Sequence, residues 1–157
     1  MKLVKQIVPY DMAHNSETDC TDLLMEIERL DLLIDAVDVK AHKKVCLYLR
    51  SCVPYAPDPE NVVLMRTALE IYRKHEKYCD AMRIALQLND DDIIVDIFIK
   101  CPDLTMKKQL CYILGRQQRY IEFPDDMEDT DELQEIISNR YYSLITLIIN
   151  NLASLVI

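Results

Sequence analysis

His42 and Cys46 stand four residues apart in a stretch with helical spacing, so their side chains share one helix face. An imidazole that takes the proton of a neighbouring thiol would create a nucleophile there. Such a pair needs a third group to orient the base, and no residue announces itself for that role. His14 falls in a loop beside Tyr10 and Asp11, and His75 in a short turn, so the three histidines lie in different elements. The six cysteines sit at 20, 46, 52, 79, 101 and 111 without a C-x-x-C pair. Zinc modules use tighter paired ligands, so reduced, buried thiols of an intracellular protein are the expectation. Met1–Pro9 is too short for the apolar region of a secretory signal. Asp90-Asp91-Asp92 begins like a calcium loop but lacks the glycine that loop requires. No catalytic, cofactor-binding or metal-binding residue is assigned.

Composition narrows the class further. The chain has 157 residues and one glycine, Gly115, where an average chain carries roughly 7%. Phosphate loops, dinucleotide fingerprints and nucleophile elbows all need several glycines at fixed spacings and are excluded. Tight hairpins also lean on glycine, so a β-meander is not expected. The net charge of −9 disfavours nucleic acid, whose partners present a basic face. Acids cluster at 11–38 and 122–135, while bases gather at 40–50, 66–77 and 100–119. Two readings of that pattern stay open: alternating solvated helix faces, or one acidic surface for a basic partner.

The elements that must carry these residues are short helices. Residues 16–30 predict one, with Ser16 at the N-cap and Leu23, Leu24, Ile27 and Leu30 on its apolar face. A short piece continues to Val37, and 40–53 predict a helix burying Val45, Cys46, Leu49, Cys52 and Val53. Pro54, Pro57 and Pro59 make a stiff connector, and Asp58-Pro59 reads as cap and first helical residue. The helix from Pro59 to Lys74 is expected to turn Val62, Val63, Met65, Leu69 and Tyr72 inward. The next, 78–88, carries Ala81 and Ala85 on one face, where small residues permit close approach of a neighbour. Further helices are expected over 91–99, 103–114 and 131–139, with Gly115 as a left-handed C-cap and 117–124 irregular. The fold class is all-α: an irregular α-solenoid of short antiparallel helix pairs, tetratricopeptide-like in flavour, with no sheet.

The stretch 141–157 has no charge and is rich in Leu, Ile, Ser and Asn. At 17 residues it is shorter than the ~20 a membrane span needs, and polar residues interrupt it. A helix packed on its neighbour, an aggregation-prone end and a tail anchor are the alternatives. Leu133, Ile136 and Ile137 are expected to leave an open apolar face beside it.

Several stretches in series point to a family. They are Ile7-Val-Pro-Tyr-Asp-Met-Ala-His-Asn15, Asp22-Leu-Leu-Met-Glu-Ile-Glu28, Lys44-Val-Cys-Leu-Tyr-Leu-Arg-Ser-Cys-Val53 and Pro59-Glu-Asn61. Ala81-Met-Arg-Ile-Ala-Leu-Gln-Leu-Asn-Asp90, Leu114-Gly-Arg116 and Glu135-Ile-Ile-Ser-Asn139 follow. In this order and spacing, residues 3–139 resemble the N-terminal helical part of the 26S proteasome non-ATPase regulatory subunit 2 family. The resemblance divides the chain into a helical scaffold region, 1–139, and a divergent apolar tail, 140–157. It implies a non-catalytic scaffold in the base of the regulatory particle, supporting ubiquitin-dependent degradation in cytoplasm and nucleus. The implied partners are other base subunits, especially the ATPase ring. In the family, ubiquitin and shuttle factors with ubiquitin-like domains dock mainly on a glycine-rich toroid that this chain lacks, so no contact residue for them is carried over. The competing readings are a membrane-tethered adaptor anchored by 141–157 and a cysteine-dependent enzyme using Cys46 and His42.

Overall fold

The computed structural model describes residues 3–123 and 129–138. Among them there are helices and no strand, as the glycine count and apolar spacing demand. The helices are α1 (Val4–Ala13), α2 (Glu17–Glu26), α3 (Asp31–Ala36), α4 (His42–Cys52), α5 (Glu60–Lys74), α6 (Tyr78–Leu88), α7 (Asp91–Lys100), α8 (Leu104–Arg116) and α9 (Thr130–Ile137). The chain divides into two compact units, residues 1–90 and 91–157. The expected break between 139 and 140 lies outside the described residues, as does the 141–157 tail.

In the first unit α5 is the central element, packing against α4, α6 and α3, while α1 and α2 pack on each other and α2 on α4. Leu24, Leu33, Leu49, Leu69, Ile71, Met82 and Ile84 are fully buried. Each such side chain contributes ~1.5–3 kcal/mol relative to exposure. Ala68, Ala81 and Ala85 are also at 0% exposure, the small residues that close approach of α5 and α6 requires. The inward face of α5 is rotated from the expected one: Leu64, Thr67, Ala68 and Ile71 join Leu69 and Tyr72 in the core, whereas Val63 is 48% exposed. Thr67 fits because its hydroxyl donates to the Val63 carbonyl at 2.9 Å.

Other boundaries moved for identifiable reasons. A helix forms at 4–13, before the first expected one, with Pro9 inside it and only Val8 fully in the core. Its sparse apolar pattern hid it. The helix expected over 16–30 ends at Glu26, because Glu28 turns left-handed at φ 56°. Ser16 is at the N-cap position but its hydroxyl makes no capping bond. Pro59, not Asp58, occupies the cap of α5, and a proline side chain has no acceptor to offer.

One joint recurs. Asn15, Glu28, Glu76, Asn89 and Gln118 have φ between 53° and 61°. In each case the next N–H reaches back to a carbonyl in the last turn: Ser16 to Asp11, Arg29 to Leu24, Lys77 to Tyr72, Asp90 to Ala85 and Arg119 to Leu114, at 2.9–3.3 Å. This 6→1 closure is the Schellman motif, usually built on glycine. Among the described residues it is built five times without one. Gly115 accordingly does not cap α8. It lies inside the helix, and Gln118 takes the left-handed position.

In the second unit Ile94, Ile97, Phe98, Leu110 and Leu114 form a core, joined by Ile121 and Phe123 from the segment after α8. Leu133 and Ile137 are buried rather than forming the open face expected of α9, and Ile136 is half-buried. The cause is Gly115: a Cβ there would stand 3.2 Å from the Ile137 carbonyl oxygen, so α9 lies against bare α8 backbone.

Glu17 is a buried carboxylate in α2, and its Oε2 accepts from Lys44 Nζ at 2.6 Å across to α4. The Lys44 hydrogen bond holds its carboxyl below the ordinary value of 4.5. A depressed folded-state pKa contributes stability above that value, which is lost as pH falls through the lower one. Lys44→Met is therefore expected to cost about 1–3 kcal/mol at pH 7, by leaving the carboxylate buried without its cation. Urea unfolding at pH 7 and pH 3 checks this, since the gap between the two proteins should shrink in acid.

Candidate interaction surface

Among the described residues, those with chemical potential are not gathered into a reactive centre. Cys46 lies in the core under α5, its thiol donating weakly to the Ala68 carbonyl at 3.7 Å. His42 turns instead to the Val39 carbonyl, with Nδ1 2.5 Å away. Burial pushes the Cys46 thiol up to about 12. The pair at i, i+4 thus holds no proton-transfer geometry, and the cysteine-enzyme reading loses its nucleophile. Burial also raises Cys111 to about 12 and Cys20 to about 11. At pH 8 a thiol at 12 is ionised in roughly one molecule in ten thousand. In native protein at pH 8, Cys20, Cys46 and Cys111 are expected to resist iodoacetamide until denaturant is added, as peptide mapping will read.

His14 caps α1, its Nδ1 2.7 Å from the Tyr10 carbonyl and its ring stacked on Tyr10 at 4.0 Å. His75 caps α5 and faces the Val37 carbonyl at 3.3 Å. Its ring lies 5.1 Å from that of His42, a juxtaposition that their distance in sequence concealed. Beside it Lys74 Nζ donates to the carbonyls of Ile34 and Asp35 at 2.7 and 3.1 Å, a cation closing the C-terminal end of α3. Among the described residues no three potential metal ligands converge. Asp91 accepts from Arg119 at 2.8 Å, so the first acid of α7 serves a structural pair.

The acidic stretch 11–38 splits by role. Glu17 is bound to Lys44, Asp22 accepts from Tyr48 at 2.6 Å, Asp31 pairs with Arg29, and Asp38 accepts from the Lys40 and Ala41 amides at the start of α4. Asp19, Glu26, Glu28 and Asp35 face solvent.

What the first unit does present is a groove. α4 ends in a 3-10 turn, Val53–Tyr55, where Pro54 has no N–H to continue the ladder. The turn bends the chain away before α5 begins and leaves a concavity of about 420 Å³. Leu47, Arg50 and Ser51 of α4, Val53 and Pro54 of the turn, Met65 of α5 and Gln87 of α6 line it. Leu47 is 67% exposed and neighbouring Tyr55 is 89% exposed. An exposed leucine on the wall of a groove makes this concavity the candidate contact surface of the first unit. The pattern of α4 alone does not reveal it, because the concavity depends on where the proline turn sends the chain.

Comparison with known proteins decides the lineage. A family model, the RPN1 N-terminal domain, matches residues 1–150. The chain belongs to the RPN1 N-terminal domain family. Among RPN1 relatives, 26S proteasome non-ATPase regulatory subunit 2 homolog A of Arabidopsis thaliana is 41% identical over 147 residues. The 26S proteasome regulatory subunit rpn1 of Schizosaccharomyces pombe is 38% identical over 143. The Dictyostelium discoideum subunit 2 is 35% identical over 144. Each alignment covers 91% of this chain and 16% of the relative. The chain therefore spans about a sixth of the length of those relatives.

Proposed function

We propose that the chain is a non-catalytic scaffold segment of the 26S proteasome regulatory particle, acting in its base through protein–protein contacts. The observation that carries this reading is the match to the RPN1 N-terminal domain along residues 1–150. Relatives at 35–41% identity are named regulatory or non-ATPase regulatory subunits of the 26S proteasome. The exposed groove at the end of α4 suits such a role, and the buried thiols do not suit an enzyme. Its partners in this reading are the neighbouring base subunits, the ATPase ring first among them, and its role is to support ubiquitin-dependent degradation in cytosol and nucleus. In this reading ubiquitin and shuttle factors dock outside the segment matched here, as the resemblance implies.

Reconstitution tests it. The tagged chain, mixed with purified ATPase subunits of the base, is expected to co-elute with them on size exclusion. Separate elution at micromolar concentrations, or partition of the chain into membranes in cells, would reject the proposal. No helix among the described residues is long and apolar enough to cross a membrane.

A further inference from the structure

We infer that the groove between the end of α4 and α5 docks an acidic amphipathic helix of another protein. The inference rests on the scaffold reading for the need of a protein partner. It goes beyond that reading in naming the surface and the chemistry of what sits there.

Charge is the first argument. The chain carries −9 overall, yet residues 39–57 hold Lys40, Lys43, Lys44 and Arg50 and no acid. The groove lining repeats the bias, with one cation, Arg50, and no carboxylate. Lys43, Leu47, Arg50 and Ser51 follow at helical spacings of four, three and one, so an apolar residue sits between two cations along α4. Lys44 differs, because Glu17 neutralises it. A partner with acids flanking an apolar stripe complements that row.

Shape is the second argument. Peptides are recognised by strand addition, by polyproline helices on aromatic grooves, or by an amphipathic helix laid into an apolar groove. Among the described residues no strand offers an edge to extend. The lining is aliphatic, with Leu47, Val53, Pro54 and Met65 and no aromatic residue. Of these three modes, an aliphatic lining suits the helix-in-groove mode. Met65 favours it, since an unbranched thioether adapts to differing apolar side chains.

The probe is a fluorescent amphipathic peptide with leucines on one face and glutamates flanking them, titrated into the full chain. A second peptide keeps the leucines and replaces each glutamate with lysine. The glutamate peptide is expected to bind about tenfold more tightly than the lysine peptide, with the difference shrinking in high salt. Leu47→Asp should weaken the glutamate peptide about tenfold with unchanged circular dichroism, because Leu47 is exposed rather than in the core. Ser51→Glu provides a second reading: it should weaken the glutamate peptide and strengthen the lysine one. Equal affinity of the two peptides, or undiminished binding to Leu47→Asp, overturns the inference. So does self-association that Leu47→Asp abolishes while neither peptide binds, since the occupant would then be a second copy of this chain. Failure of the scaffold reading is seen separately, as wild-type chain that binds the glutamate peptide but does not co-elute with base ATPases.

Discussion

Gly115→Val is expected to lower the stability of the second unit by about 2–4 kcal/mol and to release α9 from α8. The Cβ of any other residue at 115 meets the Ile137 carbonyl oxygen at 3.2 Å and the Ile136 carbonyl oxygen at 3.5 Å. Both are backbone atoms, and backbone cannot rotate out of the way as a side chain can. Alanine divides the two effects. Gly115→Ala gains up to about 1 kcal/mol of helix propensity inside α8 and gives it back in moving α9 by a few tenths of an ångström. Its net effect should lie within about 1 kcal/mol of zero. Valine adds two methyl groups to the same close approach and has no such offset. Urea unfolding gives the stability, and hydrogen exchange of the α9 amides shows whether that helix is the part set free. A valine variant as stable and as protected as the parent would show that α9 does not need the bare backbone.

Phe98→Ala should be costlier still, about 3–5 kcal/mol. The ring is fully buried in α7 and meets Phe123 edge to face, with centroids 5.0 Å apart and planes at 68°. Truncation removes the apolar burial, leaves a cavity and deletes the aromatic pair. The pair itself accounts for about 0.5–1.5 kcal/mol, which a double-mutant cycle with Phe123→Ala isolates. Phe123 belongs to a segment without regular structure that is held by its own buried side chains, Ile121 and Phe123, and by Gln134, whose amide donates to the Ile121 carbonyl at 3.2 Å. Removing either ring should therefore raise exchange rates across 119–123 before any helix melts. Additive losses, with no coupling, would mean that the two rings merely share a core.

These two sites also show how far the sequence could be read. Helix α4 is plain from spacing alone, because Val45, Cys46 and Leu49 recur at three and four, and α6 shows itself in Ala81 and Ala85 on one face. Gly115 was misread because glycine at a helix end is usually a left-handed cap, while here its missing side chain is used for contact with a helix more than a dozen residues later. Val63 was misplaced because several apolar residues in a row leave the phase of α5 ambiguous, and only the partners α4 and α6 resolve it. The groove could not be seen in advance, since its walls come from three helices and a turn. The resemblance of the collinear motifs to the proteasome subunit carried information that no local pattern held, and the family match agrees with it.

The left-handed joints have a mechanical consequence. At Glu28, Glu76 and Gln118 a long side chain occupies a narrow conformational well, costing roughly 1–2 kcal/mol that glycine would not. A residue in a narrow well cannot drift through neighbouring angles as glycine does, so each corner behaves as a locked pin rather than a loose hinge. A pull on one helix of the first unit should then pass through packed side chains to the next with little slack. Glu28→Gly or Glu76→Gly would relax the strain at the corner and soften it in the same stroke, trading rigidity under load for ease of folding.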